Sequence, residues 1–367
     1  MQKHEAVLKT VKPVDQRVLP DAHDLAHAVA FYFCDELARL VVDLHNVNAL
    51  SVSVTLEPAE RAEFETLEGE TLWNWLRDTG RQTIIDDLTY RQLTAAVLSD
   101  AAHFICESLL ASGKGKMTVA LALLRKPLKE NLLLLEWLCA NPAEFLEHFQ
   151  GESISSYVLN RMSKNHRLEI MRTAASMVEL AGIDDELLWL TRYGKEYERS
   201  LETLWTKATH LVTTVQASAT EPGNLNFVFS SESDIAEQWN HYYFIVPFLL
   251  FYFVQVAETV ASRFVEWKRQ ARPFQVLRRQ LAFMRYVDET AAARDLGWSA
   301  GDFYVELARL FTCLSCDNKL DAGEMDIDRF WLVGEVTCPI CGESSNLWEI
   351  LPDDDSDAPG ELDEEHD

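Results

Sequence analysis

Four cysteines in two close pairs constrain this 367-residue chain more than any other feature. Cys313-Leu-Ser-Cys316 is followed, after 21 residues, by Cys338-Pro-Ile-Cys341-Gly342. Each C-x-x-C turn places two thiolates on one small loop, and two such loops complete a tetrahedron around a divalent metal. The insert carries Arg329-Phe-Trp-Leu-Val333, a β-prone run, and Asn346-Leu-Trp-Glu-Ile-Leu351 follows the second pair. A short antiparallel sheet is therefore expected between the knuckles. A unit of about 40 residues builds little core of its own, so the metal would supply much of its folding free energy.

The Cys-Pro-x-Cys-Gly knuckle makes the module similar to a zinc ribbon. That resemblance implies one structural Zn2+ per chain, held by Cys313, Cys316, Cys338 and Cys341. A rubredoxin-like iron site uses the same four cysteines, but the insert lacks aromatic-rich spacing. A redox C-x-x-C pair fits poorly with two pairs occurring together. A closed four-cysteine site has no open coordination position, which makes it structural rather than catalytic. The other three cysteines, Cys34, Cys106 and Cys139, lie alone in apolar helix-like segments. That usage suits reduced thiols and a cytoplasmic location.

Upstream, residues 21 to about 310 read as helix after helix. Asp21 is a plausible N-cap for Leu25, Val29, Phe33, Leu37 and Leu40 at three- and four-residue steps. Further helices are expected over 71–76, 90–110, 117–138, 165–181, 185–215 and 231–269, the last broken or kinked at Pro247, and then from Phe274 to Tyr286. Asn141-Pro142 signals a turn. Val52 to Leu56 and Leu225 to Phe229 alternate briefly like strands. The apolar run Tyr242 to Val254 has 13 residues, too short for a membrane span of about 18–20, and is expected as a core helix with no membrane partner. Residues 1–12 lack the apolar region of a secretory signal. The fold class is mainly α: an irregular multi-helix bundle over 1–310, a small β zinc ribbon over 311–351 and an acidic, disordered tail over 352–367.

Catalytic signals are sparse. There is no phosphate loop, dinucleotide-binding glycine pattern, nucleophile elbow or HExxH helix, which favours an interaction or accessory protein over an enzyme. Arg161-Met-Ser-Lys-Asn-His166 has the spacing R-x4-H and is similar to the motif of HEPN-domain ribonucleases. That resemblance implies a metal-independent site in a defence or toxin setting, with Arg161 clamping phosphate and His166 moving protons. Met162 departs from the polar residue often found there. The alternative is a basic, solvated helix start. His23 and His27 stand one helical turn apart, a spacing that holds a metal only with a third ligand. The segment Ala120 to Leu138 with Asn141-Pro142, the later Trp205 to His210 and the apolar last helix resemble an uncharacterised bacterial all-helical domain family, distantly HEPN-like. The similarity covers about 117–264 and implies an all-helical fold and no activity.

Net charge sorts the partners. The chain has 33 Lys plus Arg against 59 Asp plus Glu, or −26. Residues 352–367 hold nine acids and no Lys or Arg, residues 313–351 eight acids against Lys319 and Arg329, and residues 1–312 are left with −11. The acidic ribbon points to a protein contact or self-association rather than phosphate binding. Two stretches are basic, 113–129 and 262–286, the second through Arg263, Lys268, Arg269, Arg272, Arg278, Arg279 and Arg285. If they coincide they form an RNA- or DNA-binding groove, with Lys268, Arg269, Arg272, Arg278 and Arg279 as contacts; otherwise they pair with acidic helices of the same bundle.

Overall fold

The computed structural model describes residues 18–151, 161–178, 184–195, 197, 200–214, 219–220, 222–223, 225–226, 232–265, 271–289, 312–319 and 327–346. The acidic tail, the first 17 residues, and Lys268 and Arg269 lie outside them. The chain divides into two compact units, Met1–Glu266 and Trp267–Asp367, so the change of composition at residue 311 falls inside the second.

Helices are the regular secondary structure of the first unit among its described residues. Its long members are α1 (Asp24–Asn46), α4 (Gln82–Gly113) and α11 (Glu232–Ala261), with α2 (Arg61–Phe64) and α3 (Gly69–Asp78) between the first two. The three- and four-residue spacing in α1 buries Val29, Phe33, Leu37, Leu40 and Leu44 against α4 and α11. Asp21 opens a 3-10 turn, Asp21–His23, and is not the N-cap of α1. Residues 51–57 are irregular rather than a strand, and Leu56 packs with Trp75, Leu76 and Ile85 in a small separate cluster. Leu225 and Asn226 are likewise not in a strand.

The run Tyr242 to Val254 is buried almost throughout, and α11 stays helical through Pro247 instead of breaking there. One lost backbone hydrogen bond is a small cost beside the apolar area that a continuous helix keeps in the core. By length and composition alone α4 and α11 could each cross a membrane; 89% of the α11 window is buried within the unit and 44% of the α4 window. Polar pairs set the register between these two helices. Ser108 and Ser112, both fully buried, meet the hydroxyls of Tyr242 and Tyr243 at 2.7 and 2.6 Å. Trp239 Nε1 donates to the Ser112 carbonyl at 2.9 Å, adding a second donor to one that already accepts from Gly115 N at 3.0 Å at the end of α4.

The helix expected over 117–138 is divided. α5 (Met117–Lys126) passes through a π-turn at Pro127–Asn131 into α6 (Leu132–Ala140). Pro127 lacks an N–H and so costs the preceding turn one hydrogen bond, and the carbonyls of Leu128 and Lys129 in the widened turn receive side-chain donors. Arg192 Nε donates to Leu128 O at 2.9 Å and the Tyr193 hydroxyl to Lys129 O at 2.9 Å. Arg192 also pairs with Glu136 at 2.6 Å, both fully buried. Burial drives the Glu136 carboxyl upward against the pull of Arg192. Asn141 then caps α7 (Pro142–Gln150), accepting from Glu144 N at 3.3 Å, and the Asn-Pro turn falls where expected.

α8 (Lys164–Met177), α9 (Asp185–Tyr193) and α10 (Leu201–Thr209) complete the described helices of the unit. The single helix expected over 185–215 is interrupted at Gly194, where an added Cβ would lie 2.5 Å from Leu190 O. Only glycine lets the chain turn that close to the preceding helix.

In the second unit, α12 (Ala271–Glu289) packs on a short helix, α13 (Ile327–Val333), followed by the hairpin β1 (Glu335–Thr337) and β2 (Ser344–Asn346). The β-prone run at 329–333 is therefore helical. Phe330 and Trp331 are buried three and four residues after Ile327, and the run of Phe, Trp, Leu and Val follows packing over intrinsic preference.

Candidate metal centre

Two knuckles built on one plan bring the four sulfurs together. In the first, Cys313 N donates to Asn318 O at 2.9 Å and Asp317 N to Cys313 O at 3.0 Å. In the second, Cys338 N donates to Glu343 O at 2.8 Å and Gly342 N to Cys338 O at 2.9 Å. Each loop is closed by a pair of residues seven apart: the bridge Thr312↔Lys319 and the β1–β2 pair Thr337↔Ser344. Each also reverses through a residue of positive φ at the same place, Asp317 at 54° and Gly342 at 76°. Asp tolerates that region through its short polar side chain, and Gly enters it without strain.

The Sγ atoms of Cys313, Cys316, Cys338 and Cys341 all lie within 4.8 Å of one another. Cys313 and Cys341 are 3.6 Å apart and Cys316 and Cys338 3.7 Å. A tetrahedron with metal–sulfur bonds of about 2.3 Å has sulfurs about 3.8 Å apart, so the group is sized to hold a metal ion. The first cysteine of each knuckle, Cys313 and Cys338, is buried, whereas Cys316 is half-buried and Cys341 exposed.

Hydrogen bonds and the closeness of the sulfurs act on these thiols in opposite directions. The Asn318 side-chain amide donates to Cys316 Sγ at 3.3 Å, and with the Asn318 backbone N–H it holds the Cys316 thiol down at about 6. The Glu343 N–H acts similarly on Cys341, but the other three sulfurs outweigh it and push that thiol up to about 12. A cation at the centre replaces the protons that these sulfurs otherwise share. The isolated cysteines are held protonated by the core. Burial, with Cys106 and Asp35 adding to it, pushes Cys34 to about 12, and burial outweighs the pull of Arg263 to put Cys139 at about 11, the environment of inert thiols.

The support of the centre comes from arginines of α12. Arg278 donates to the carbonyls of Trp331 at 3.0 Å and Leu332 at 2.6 Å, capping the C-terminus of α13. Arg285 reaches both oxygens of Asp328 at 3.0 and 3.2 Å, and Asp328 in turn accepts from Trp331 Nε1 at 2.9 Å. Arg278 and Arg279, expected either to contact a nucleic acid or partner or to pair within the fold, are 8% and 3% exposed. Arg272 lies in the first turn of α12, and Lys268 and Arg269 precede the described helix. The stretch 113–129 is paired in a similar way. Lys126 meets Asp100 at 2.7 Å, Lys129 meets Glu202 at 2.5 Å, and Arg125 lies 3.7 Å from Glu130.

Arg161 and His166 occupy the entry to α8. Arg161 is exposed on the turn before the N-cap Ser163, whose Oγ accepts from His166 N at 3.1 Å. His166 is half-buried edge-on to Trp137, with Nε2 3.7 Å from Glu144 Oε1. Among the described residues no hydrogen bond or ion pair joins Arg161 to His166. The other histidine pair is engaged by Tyr243, on which His23 stacks and to whose hydroxyl His27 Nδ1 is bonded at 2.6 Å.

The features missed in the sequence are Glu136 and Arg192, which are 56 residues apart and fully buried. A lone acid inside the apolar run Leu132 to Leu138 was the one available signal. Comparison with protein-family models, with curated proteins and with solved structures gives no match for the chain.

Proposed function

We propose that the chain is an interaction or accessory protein whose C-terminal unit is a zinc ribbon folded around one structural Zn2+. The observation that carries this reading is the four-sulfur group with twin knuckles and sulfur spacing near that of a tetrahedral site. Bound zinc would draw the thiolates together and supply folding free energy, with no position left for a substrate. Cys313, Cys316, Cys338 and Cys341 hold it, while Asn318 and the backbone N–H groups stabilise the sulfur charge. Metal analysis of the purified, reduced protein tests the reading. About one zinc per chain is expected, lost in a Cys338→Ser, Cys341→Ser variant. Iron in its place, or no metal, overturns it.

The HEPN-like ribonuclease reading keeps one supporting observation. His166 has a carboxylate neighbour, Glu144, and Arg161 is exposed just upstream. In that reading His166 moves the proton of a ribose hydroxyl and Arg161 steadies the phosphate charge. RNA cleavage abolished separately by Arg161→Ala and His166→Ala supports it; cleavage unchanged in both rules it out.

A further inference from the structure

We propose that the two knuckle tips together form a docking surface for a protein segment with an aliphatic centre and a basic rim. The inference rests on the zinc reading, because the metal holds the tips together and sets their charge. Leu314 and Ile340 are 53% and 61% exposed, each set between the two ligands of its own knuckle. Cys313, which precedes Leu314, and Cys341, which follows Ile340, have sulfurs 3.6 Å apart. The two aliphatic residues therefore sit on loops joined at one centre. Ser315 and Pro339, the other residue between each pair of ligands, are exposed as well.

Neither aliphatic residue is part of the buried interior, which among the described residues from 312 to 346 is made by Phe330, Trp331, Val336, Cys313 and Cys338. Scattered exposed aliphatics are ordinary on a surface, but a pair on two loops fastened by one centre is a preorganised apolar spot.

Charge selects the partner. Four thiolates outweigh one divalent ion, leaving the centre at about −2. Asp317 and Glu343, both exposed in the knuckle turns, add to that, and Lys319 offsets part of it. Asp328 is already engaged by Arg285, and Arg329 by Glu335. A phosphate polymer is repelled by such a surface. A segment presenting Leu, Ile or Val between Lys or Arg residues buries the apolar spot and neutralises its surroundings.

The test uses the zinc-loaded full chain and a fluorescent peptide of alternating Leu and Lys, read by anisotropy. Two control peptides replace every Leu by Ser or every Lys by Glu. The Leu-Lys peptide should bind more tightly than both controls. A Leu314→Ser, Ile340→Ser variant, unchanged in net charge, should lose about tenfold in affinity at unchanged zinc content. Asp317→Asn with Glu343→Gln should weaken binding and flatten its salt dependence. Equal binding by the Leu314→Ser, Ile340→Ser variant, equal binding of the Ser peptide, or tip-dependent displacement by an RNA homopolymer would each overturn the docking proposal. Zinc-free wild-type protein sinks the zinc reading itself, whereas zinc-loaded protein indifferent to its tips sinks docking alone.

Discussion

The helical unit and the C-terminal unit solve the problem of burial in different ways. Around α11 the first unit buries Trp137, Trp205, Tyr242, Tyr252, Phe33 and Phe253 essentially completely, and its buried polar groups sit inside that apolar mass. Between Thr312 and Asn346 the second shows five buried apolar side chains among the described residues, and two of them are Cys313 and Cys338. Two of these five positions go to cysteines of the candidate metal centre. Area alone can hold the first unit, whereas the ribbon needs either a cation or the arginine clamps of α12 to stay ordered. The two units should therefore fail separately and for different reasons.

Metal removal is the strongest way to break that comparison. Structural zinc in small domains is worth about 10–16 kcal/mol at neutral pH, more than a unit with this core can lose. A chelator, or the Cys338→Ser, Cys341→Ser variant, should expose the ribbon to proteolysis and change the near-ultraviolet signal of Trp331. Far-ultraviolet helicity should fall only slightly. A collapse of the whole helical signal would mean that the first unit depends on the metal too.

The mirror experiment strikes the first unit. Arg192→Met strands Glu136 in the core by removing the donor to its Oε1, and takes away the donor to the Leu128 carbonyl. Breaking a buried pair from one side costs about 3–5 kcal/mol, read as a lower urea midpoint of the helical transition. Adding Glu136→Gln should return part of the loss, because the uncompensated charge goes. Zinc content should not change in either variant. A variant as stable as the parent would show that the ion pair is dispensable to the π-turn.

How legible each unit was follows from how local its determinants are. The knuckles are dictated by residues within seven positions of one another, so the grouping of their four cysteines could be read directly from spacing. The α1 stripe of Val29, Phe33 and Leu37 was readable for the same reason. Pro127 marked the place where the helix changes, but the side chains that donate to the carbonyls there are Arg192 and Tyr193, more than 60 residues away. Nothing in a window around either segment announces that partnership. Similarly, 329–333 reads as a strand by composition and becomes a helix because Phe330 and Trp331 face a core shared with α12. Arg278 and Arg279 show the same blind spot: a run of basic residues gives their charge but not their burial.

The twin knuckles permit a finer test at one backbone position. Gly342 has φ of 76° and open space where a Cβ would stand, so Gly342→Ala carries a pure conformational cost. About 1–2 kcal/mol is expected, a factor of about 5–30 in zinc retention against a chromophoric chelator. At the equivalent site, Asp317→Gly relieves a left-handed backbone while loosening the unfolded chain, and should be close to neutral. Equal effects at the two positions would show that the knuckles share only their outline.

Acid separates the units by proton count, and here the expected effect is smallest. Burial lowers the affinity of His23 for a proton below its usual value of 6.5, with Asp24 opposing, while the ring lies 5.4 Å from that of Tyr243 in a stacked arrangement. Unfolding frees the ring to protonate at its ordinary pKa. The contribution of His23 is therefore fully present above pH 6.5 and declines as the pH falls through that value toward the folded pKa. The decline has the slope of a single proton and should vanish in His23→Gln. The ribbon must instead return protons to as many as four thiolates as its metal leaves, so its acid transition should be several times steeper. Urea titrations of the helical unit at pH 5.0, 5.75 and 6.5 measure the first slope, and zinc release over the same range measures the second. Identical slopes, or a pH dependence untouched by His23→Gln, would show that the acid sensitivity of the helical unit lies elsewhere.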